Sequence, residues 1–175
     1  HPALVIYYSL EGNTRHIAQE IAQAIGADLL ELRTPQEPQS KGFAKYVWGG
    51  AQVVMRRRPR LEPWDADLAA YGLLFIGTPV WAFTYAPPLR SFLAAVTLRQ
   101  RRVALFCTHE GGPGKTLLHL RRALAGNEIV GERDFLTPLA RGAESAEEAR
   151  RWAEAMVAAW KPADPGGLTL PSAEA

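Results

Sequence analysis

Residues 9–14, with the sequence Ser-Leu-Glu-Gly-Asn-Thr, have the composition of a phosphate-binding loop. They lie between an apolar run at residues 3–8 and a segment with helical periodicity. The first amides of a helix lack intrahelical acceptors, and the helix dipole places about half a positive charge there. Gly12 lets the backbone approach an anion closely, and the hydroxyls of Ser9 and Thr14 can donate further hydrogen bonds. The loop therefore predicts a site for a phosphate group.

Two further loops have unusual compositions, and each follows an apolar run typical of a buried strand. Residues 78–85 carry aromatic side chains where a solvated loop is usually polar, and residues 108–114 carry three glycines that leave the backbone bare. In an open α/β sheet, ligands bind beyond the carboxyl ends of the strands. A phosphate loop beside an aromatic loop and a bare loop suits a planar phosphorylated ring, for which flavin mononucleotide (FMN) is the obvious candidate.

Apolar runs and helical spacing alternate along the chain, which predicts an α/β fold with a parallel sheet between two layers of helices. The predicted strands are residues 4–8, 29–32, 73–76, 103–106 and 129–136. The first helix has an apolar stripe and ends at Gly26. Pro87 and Pro88 open a second helix. Ser145 and Glu148 form a predicted capping box for the last one.

Composition indicates one globular domain and excludes several function classes. The chain has 175 residues, 47% of them hydrophobic, and a net charge of +2. This charge is too small to indicate nucleic-acid binding, and no apolar stretch approaches the roughly 20 residues that span a bilayer. The single cysteine, Cys107, cannot form an internal disulfide, so we expect a cytoplasmic protein and an inert buried thiol.

Two segments fall outside the simple alternation. Residues 40–60 predict a helix, with Phe43, Val47, Ala51 and Val54 on one face, followed by a basic stretch from Arg56 to Arg60. This stretch is either a solvated face or a site for an acidic partner or the phosphates of a pyridine nucleotide. The domain is expected over residues 1–161, and residues 162–175 are expected to form a loosely ordered tail.

Three motifs in order resemble those of the flavodoxin-like family. Residues 5–18 look like the flavodoxin signature, and residues 77–81 followed by Ala86-Pro87-Pro88 resemble its flavin-ring loop. Residues 107–115 are similar to the family's other ring-binding loop. The resemblance implies a three-layer α-β-α sandwich with a five-stranded parallel sheet in the order 2-1-3-4-5. It also implies FMN held without a covalent bond.

The resemblance assigns the site residues in two groups. The phosphate group is placed on Ser9, Gly12, Asn13, Thr14 and the backbone of Glu11, whose side chain we expect to point outward with its charge offset by Arg15. The flavin ring is placed between the second and third loops, on Thr78, Pro79, Val80, Trp81, Ala82, Phe83, Tyr85, Thr108, His109, Gly111, Gly112 and Gly114. Trp81, Phe83 or Tyr85 would stack on the ring.

The function implied is electron transfer between a reductase and an acceptor protein, by a monomer or a homodimer. The alternative is an NAD(P)H-dependent FMN reductase of quinones or similar acceptors, and a flavin-free interaction module is a third class. The residues define no catalytic group and no metal site. Classical flavodoxins are strongly acidic whereas this chain is mildly basic, so an acidic docking face is not predicted.

Simpler interpretations remain open for single motifs. The first loop could be a plain turn with Thr14 as N-cap, and the aromatic side chains could belong to the core or to an interface. Residues 111–116 resemble part of an ATP- or GTP-binding loop, although that loop normally follows the first strand. His109 could stabilise an anionic flavin or relay a proton, or it could have no role.

Overall fold

Five parallel strands form the centre of the computed structural model, which describes residues 2–35 and 58–160. Including a short sixth strand, β4, the strands described are β1 (Ala3–Tyr8), β2 (Asp28–Leu32), β3 (Leu73–Trp81), β4 (Thr84–Tyr85), β5 (Arg102–His109) and β6 (Glu128–Leu136). The order across the sheet is β2-β1-β3-β5-β6, and the short β4 pairs antiparallel with the end of β3. With β4 set aside, this is the predicted order 2-1-3-4-5, so the prediction is confirmed.

Helices cover both faces of the sheet and complete the predicted three layers. They are α1 (Asn13–Ile25), α2 (Pro87–Ala95), α3 (Thr116–Ala123), α4 (Pro138–Arg141) and α5 (Ala143–Ala158), with a short 3₁₀ turn at Leu68–Ala70. Side chains of α1 and α5 pack in one core cluster, and those of α2 and α3 pack in the other. None of the helices described is long and apolar enough to cross a bilayer.

Strand β1 is buried along its whole length because both of its faces are covered. Val5 and Tyr7 face the α1 and α5 side, whereas Leu4, Ile6 and Tyr8 face the α2 and α3 side. Helix α1 buries its predicted apolar stripe, and Gly26 ends it with a φ of 65°. The predicted buried strand and the predicted end of the first helix at Gly26 are both confirmed.

Gly77 lies directly against a core side chain of the neighbouring strand. It pairs with Phe106 in the parallel register of β3 and β5. A Cβ atom at Gly77 would overlap the phenyl ring of Phe106. Only glycine therefore fits at this position without displacing that ring.

The predicted capping box of the last helix is wrong. Helix α5 begins at Ala143, so Ser145 lies inside its first turn and not before it. The buried Ser145 hydroxyl donates to the carbonyl of Pro138 at 2.7 Å, and Glu148 pairs with Arg141 at 3.1 Å. Ser145 thus joins α5 to α4, and its oxygen is not the acceptor for a helix amide.

Parts of two predicted features lie outside the described residues. The helix expected within residues 40–60 falls in the gap at 36–57, and of the basic stretch only residues 58–60 are described, with neither helix nor strand. The tail at residues 162–175 also lies outside.

Candidate functional site

The loop after β1, residues 9–14, is organised around the Ser9 hydroxyl. The Ser9 side chain is buried, and its Oγ accepts hydrogen bonds from the amides of Gly12 and Arg15, each at 3.2 Å. A hydroxyl has two lone pairs and one proton. Because both lone pairs are used, the Ser9 proton is the part of the group left to bond a ligand.

Two amides at the start of α1 supply further donors. Among residues 2–35 and 58–160, the backbone N–H groups of Asn13 and Thr14 have no hydrogen-bond acceptor. The amide of His16, by contrast, donates to the carbonyl of Gly12 at 2.9 Å. Gly12 has a φ of 100°, a conformation that side chains disfavour. Free amides, a hydroxyl proton and the positive end of a 13-residue helix fit a phosphate group.

Thr14 connects this loop to the third loop. Its Oγ1 lies 2.8 Å from Oγ1 of Thr108, and both side chains are buried. One hydroxyl donates to the other, so one proton of the pair remains for a ligand. Thr14 is the second residue of α1, so the simpler interpretation of Thr14 as the N-cap is wrong.

The second loop differs from the prediction because it forms a β-hairpin. Val80 pairs with Tyr85 and Trp81 with Thr84, so β3 extends well past the predicted end at Ile76. The two turn residues, Ala82 and Phe83, have φ values of 47° and 66°. Positive φ at both central residues suits the right-handed twist of a two-residue hairpin turn.

Thr78 holds the base of this hairpin closed. Its buried Oγ1 accepts from the amide of Ala86 at 2.9 Å and donates to the carbonyl of Pro79 at 2.8 Å. The side-chain oxygen of Thr84 lies 2.8 Å from Nδ1 of His119 on α3. The hairpin, residues 80–85, is therefore tied at its base and along one edge.

The three aromatic residues of the hairpin occupy different environments. Phe83 is 72% exposed at the tip. Trp81 is half-buried, and its ring meets Tyr8 edge to face with centroids 5.5 Å apart. Tyr85 is buried in the core with the guanidinium of Arg90 over its ring. The expectation that Tyr85 could stack on a ligand is corrected by this burial, and Phe83 and Trp81 remain.

The third loop, residues 108–115, touches the hairpin tip and is called the glycine loop below. Gly112 and Gly114 have φ values of 135° and 55°. A Cβ atom at Gly114 would lie 3.0 Å from the carbonyl oxygen of Phe83, and the amide of Lys115 donates to the same oxygen at 3.2 Å. The glycine loop follows β5, which does not favour the ATP- or GTP-binding interpretation.

His109 is held at both ring nitrogens. Its Nδ1 accepts from the amide of Gly112 at 2.9 Å, and its Nε2 lies 2.7 Å from Oδ2 of Asp134 on β6. Because an amide donates to Nδ1, the proton of the neutral ring resides on Nε2, and this N–H donates a hydrogen bond to Asp134. Neither nitrogen is left to relay a proton to a ligand, which contradicts that sequence-based hypothesis for His109.

Arg15 has a different partner from the one expected. The Glu11 side chain is exposed, as predicted, but the Arg15 guanidinium binds Glu31 of β2, with Nε 2.9 Å from Oε1. This bond raises the pKa of Arg15, and burial raises the pKa of the neighbouring Tyr7 hydroxyl. The guanidinium still borders the loop, since its Nη1 lies 3.9 Å from the Cβ position of Gly12.

Sequence reasoning missed the segment that follows β6. The amide of Leu139 donates to Oδ1 of Asn13 at 3.0 Å, and the amide of Thr137 donates to the carbonyl of His109 at 2.8 Å. A signal was available, because β6 ends at the same edge of the sheet as β1, β3 and β5. Thr137 and Pro138 therefore follow a strand end where ligand-binding loops gather.

Most of the large exposed apolar side chains lie on elements at this edge of the sheet. In the described part of the chain five such side chains are exposed: Leu29, Phe83, Leu118, Leu136 and Leu139. Phe83 lies on the hairpin, Leu118 in the first turn of α3, Leu136 at the end of β6 and Leu139 in α4. We call these four residues the apolar rim. Within residues 2–35 and 58–160, no cluster of three or more His, Cys, Asp or Glu side chains could hold a metal ion.

Comparisons with known proteins agree with this architecture. The family model described as Flavodoxin matches residues 2–156. A comparison with curated proteins finds no significant match.

Solved structures of similar fold come from several bacteria. A proposed flavoprotein from Bacteroides eggerthii is 22% identical with a TM-score of 0.74, covering 89% of this chain and 98% of its own. A flavoprotein from Lactobacillus acidophilus, crystallised in complex with FMN, is 24% identical with a TM-score of 0.65, covering 76% and 92%. Flavodoxin 1 from Bacillus cereus is 16% identical with a TM-score of 0.58, covering 92% and 100%.

At these identities the structural likeness establishes the fold. The family assignment rests on the match to the Flavodoxin family model, which spans nearly the whole chain. The chain belongs to the flavodoxin family.

Proposed function

We propose that this protein binds FMN and carries electrons between a reductase and an acceptor protein. The observation that carries the proposal is the joining of three loops at one edge of the sheet. The Thr14–Thr108 bond connects the first loop to the glycine loop, and the hydrogen bond from the Lys115 amide to the Phe83 carbonyl connects the glycine loop to the hairpin. The Lactobacillus acidophilus flavoprotein, which has this fold, was crystallised with FMN.

The phosphate would bind at the start of α1. Ser9 would donate its hydroxyl proton, and the amides of Asn13 and Thr14 would donate along the helix axis. The Gly12 conformation opens the loop to the anion, and Glu11 would contribute through its backbone. The positive charge of Arg15 beside the loop would add attraction at a distance, since its own hydrogen bonds go to Glu31.

The flavin ring would lie between the hairpin and the glycine loop. The bare backbone of Gly111 and Gly112 allows a flat ligand to approach, because nothing lies within 4 Å of either Cβ position. Exposed Phe83 and half-buried Trp81 are the aromatic groups available for stacking, which contributes about 0.5–1.5 kcal/mol beyond area burial. The remaining proposed ring contacts are Thr78, Pro79, Val80, Ala82, Thr108, His109 and Gly114.

When bound, FMN supplies the one- and two-electron chemistry, and the protein supplies orientation and environment. The hairpin and the glycine loop would shield the faces of the ring from water. The apolar rim would surround the open edge of the site, where a partner protein with its own apolar patch would dock. Both ring nitrogens of His109 are already hydrogen-bonded, so His109 would not transfer a proton to the flavin.

A two-part assay tests this proposal. Titration of the protein with FMN and with riboflavin should give much tighter binding of FMN, because riboflavin lacks the phosphate. Anaerobic NADPH added to the FMN-loaded protein alone should leave its visible spectrum unchanged. Equal affinity for the two flavins would refute the phosphate site, and rapid bleaching by NADPH would favour the reductase alternative.

A further inference from the structure

His109 makes the only side-chain hydrogen bond to the backbone of the glycine loop within the described part of the chain. It is the last residue of β5, and its side chain is 7% exposed. Residues 110–115, between β5 and α3, contain neither helix nor strand, and Gly112 has a φ of 135°. An imidazole buried beneath a loop with so little regular structure fixes the direction of the Gly112 amide.

Asp134 determines which tautomer the His109 imidazole adopts, and so which ring nitrogen can accept from the Gly112 amide. Cys107 pairs with Asp134 and His109 with Leu136 in the parallel register of β5 and β6. His109 and Asp134 therefore project from the same face of the sheet as diagonal neighbours. The carboxylate accepts a hydrogen bond from Nε2–H, with Nε2 2.7 Å from Oδ2, which leaves Nδ1 as an acceptor for the Gly112 amide. Asp134 on β6 therefore sets the His109 tautomer from outside the glycine loop.

We propose that His109, oriented by Asp134, is a positioning residue that holds the glycine loop in the conformation that receives the flavin ring. This inference rests on the proposed FMN function. The imidazole acts through the backbone: it holds Gly112, and three residues later the amide of Lys115 donates to the Phe83 carbonyl at the hairpin tip. Loss of the Nδ1 acceptor would free the Gly112 peptide to rotate and would loosen both walls of the ring site.

Two substitutions separate the roles of the two nitrogens. In His109→Asn the side-chain oxygen can occupy the place of Nδ1 and accept from Gly112, but the contact with Asp134 is lost. In His109→Gln the side-chain amide can reach the place of Nε2 and keep Asp134, but no acceptor faces Gly112. Both variants remove the imidazole ring, so a role that depends on the ring itself would make them equally defective.

The experiment measures FMN affinity of the wild type and both variants, together with hydrogen exchange of the Gly112 amide in protein without flavin. We expect His109→Gln to bind FMN about threefold to tenfold more weakly, which is the usual effect of losing one hydrogen bond. We also expect faster Gly112 exchange in His109→Gln, and His109→Asn should recover most of both losses.

The outcomes separate this inference from the function on which it rests. A wild type that does not bind FMN would end the proposed function and this inference with it. A wild type that binds FMN while His109→Gln matches it in affinity and in Gly112 exchange would overturn the inference alone. Equal losses in His109→Gln and His109→Asn would also overturn it, because they would point to the imidazole itself.

Discussion

Thr14 Oγ1 and Thr108 Oγ1 lie 2.8 Å apart, and this bond joins the loop after β1 to the loop after β5. Both residues are buried at the carboxyl edge of the sheet. The proposed phosphate site and the proposed ring site are therefore not independent. A change in either threonine should affect both the stability of the protein and its affinity for FMN.

Replacing Thr108 with Val tests this connection. Valine has nearly the shape of threonine but leaves the Thr14 hydroxyl buried without its partner. We expect the free energy of unfolding to fall by about 1–2 kcal/mol and FMN binding to weaken about threefold to tenfold. Chemical denaturation and FMN titration measure the two effects. Thr97→Val, at an exposed threonine after α2, is the matched control. An unaltered FMN affinity in Thr108→Val would contradict the connection.

The close approach of Gly114 to Phe83 predicts a second effect. An alanine there would be strained by the φ of 55°, and its Cβ would press on the Phe83 carbonyl at 3.0 Å. We expect Gly114→Ala to lose about 1–3 kcal/mol of stability and to bind FMN more weakly.

Gly26→Ala provides the control for strain alone. Gly26 has a similar φ of 65°, but nothing lies within 4 Å of its Cβ position. This variant should lose about 1 kcal/mol of stability and keep the wild-type FMN affinity. If both variants bind FMN equally well, the contact with Phe83 does not shape the ring site.

Arg15 should contribute to FMN binding through its charge. We expect Arg15→Gln to weaken FMN binding about twofold to fivefold at low salt, with a smaller effect at high salt because ions screen the interaction. Arg33→Gln is the control, since Arg33 binds the other oxygen of Glu31 but is 61% exposed. Equal FMN affinity in Arg15→Gln and the wild type would remove Arg15 from the proposed site.

Cys107 should be chemically inert in the folded protein. Burial raises the pKa of its thiol from 9.0 to about 12, and the nearby Asp134 and Glu132 act in the same direction. At pH 8 the thiolate fraction is then roughly a thousandfold lower than in the unfolded chain. Iodoacetamide should label Cys107 rapidly only after denaturation. Labelling of the native protein at the rate of a free thiol would contradict its buried position.

The same pKa shift gives the sign of a pH effect. A thiol whose pKa is raised by folding contributes stability that is fully present below about pH 9 and is lost as the pH rises towards 12. The free energy of unfolding should therefore decline over this range. The decline should be shallower in Cys107→Ala, and equal slopes would contradict the shift.

The order of the sheet and the loop after β1 could be predicted because their signals are local. Buried strands give continuous apolar runs, and the Ser9–Thr14 loop combines glycine and hydroxyl residues at a helix start. The hairpin was missed because its turn, Ala82-Phe83, lacks the Asn-Gly or Asp-Gly pair that usually marks such turns.

Other features could not be read from the sequence because they depend on distant parts of the chain. Ser145 and Glu148 have the spacing of a capping box, but α4 supplies the Pro138 carbonyl that accepts a hydrogen bond from the Ser145 hydroxyl. Arg15 is close to Glu11 in sequence, yet the parallel pairing of β1 with β2 brings Glu31 within its reach. The role of Asp134 likewise depends on the register of β5 and β6.

The most direct test of the FMN site is an amide NMR titration of isotope-labelled protein with FMN. We predict that the largest shift changes fall on Gly12, Asn13 and Thr14 at the phosphate end and on Gly112 and Gly114 at the ring end. Amides at the opposite edge of the sheet, such as that of Gly126, should barely move. Changes spread over other surfaces, or none at saturating FMN, would contradict the assignment of this edge as the flavin site.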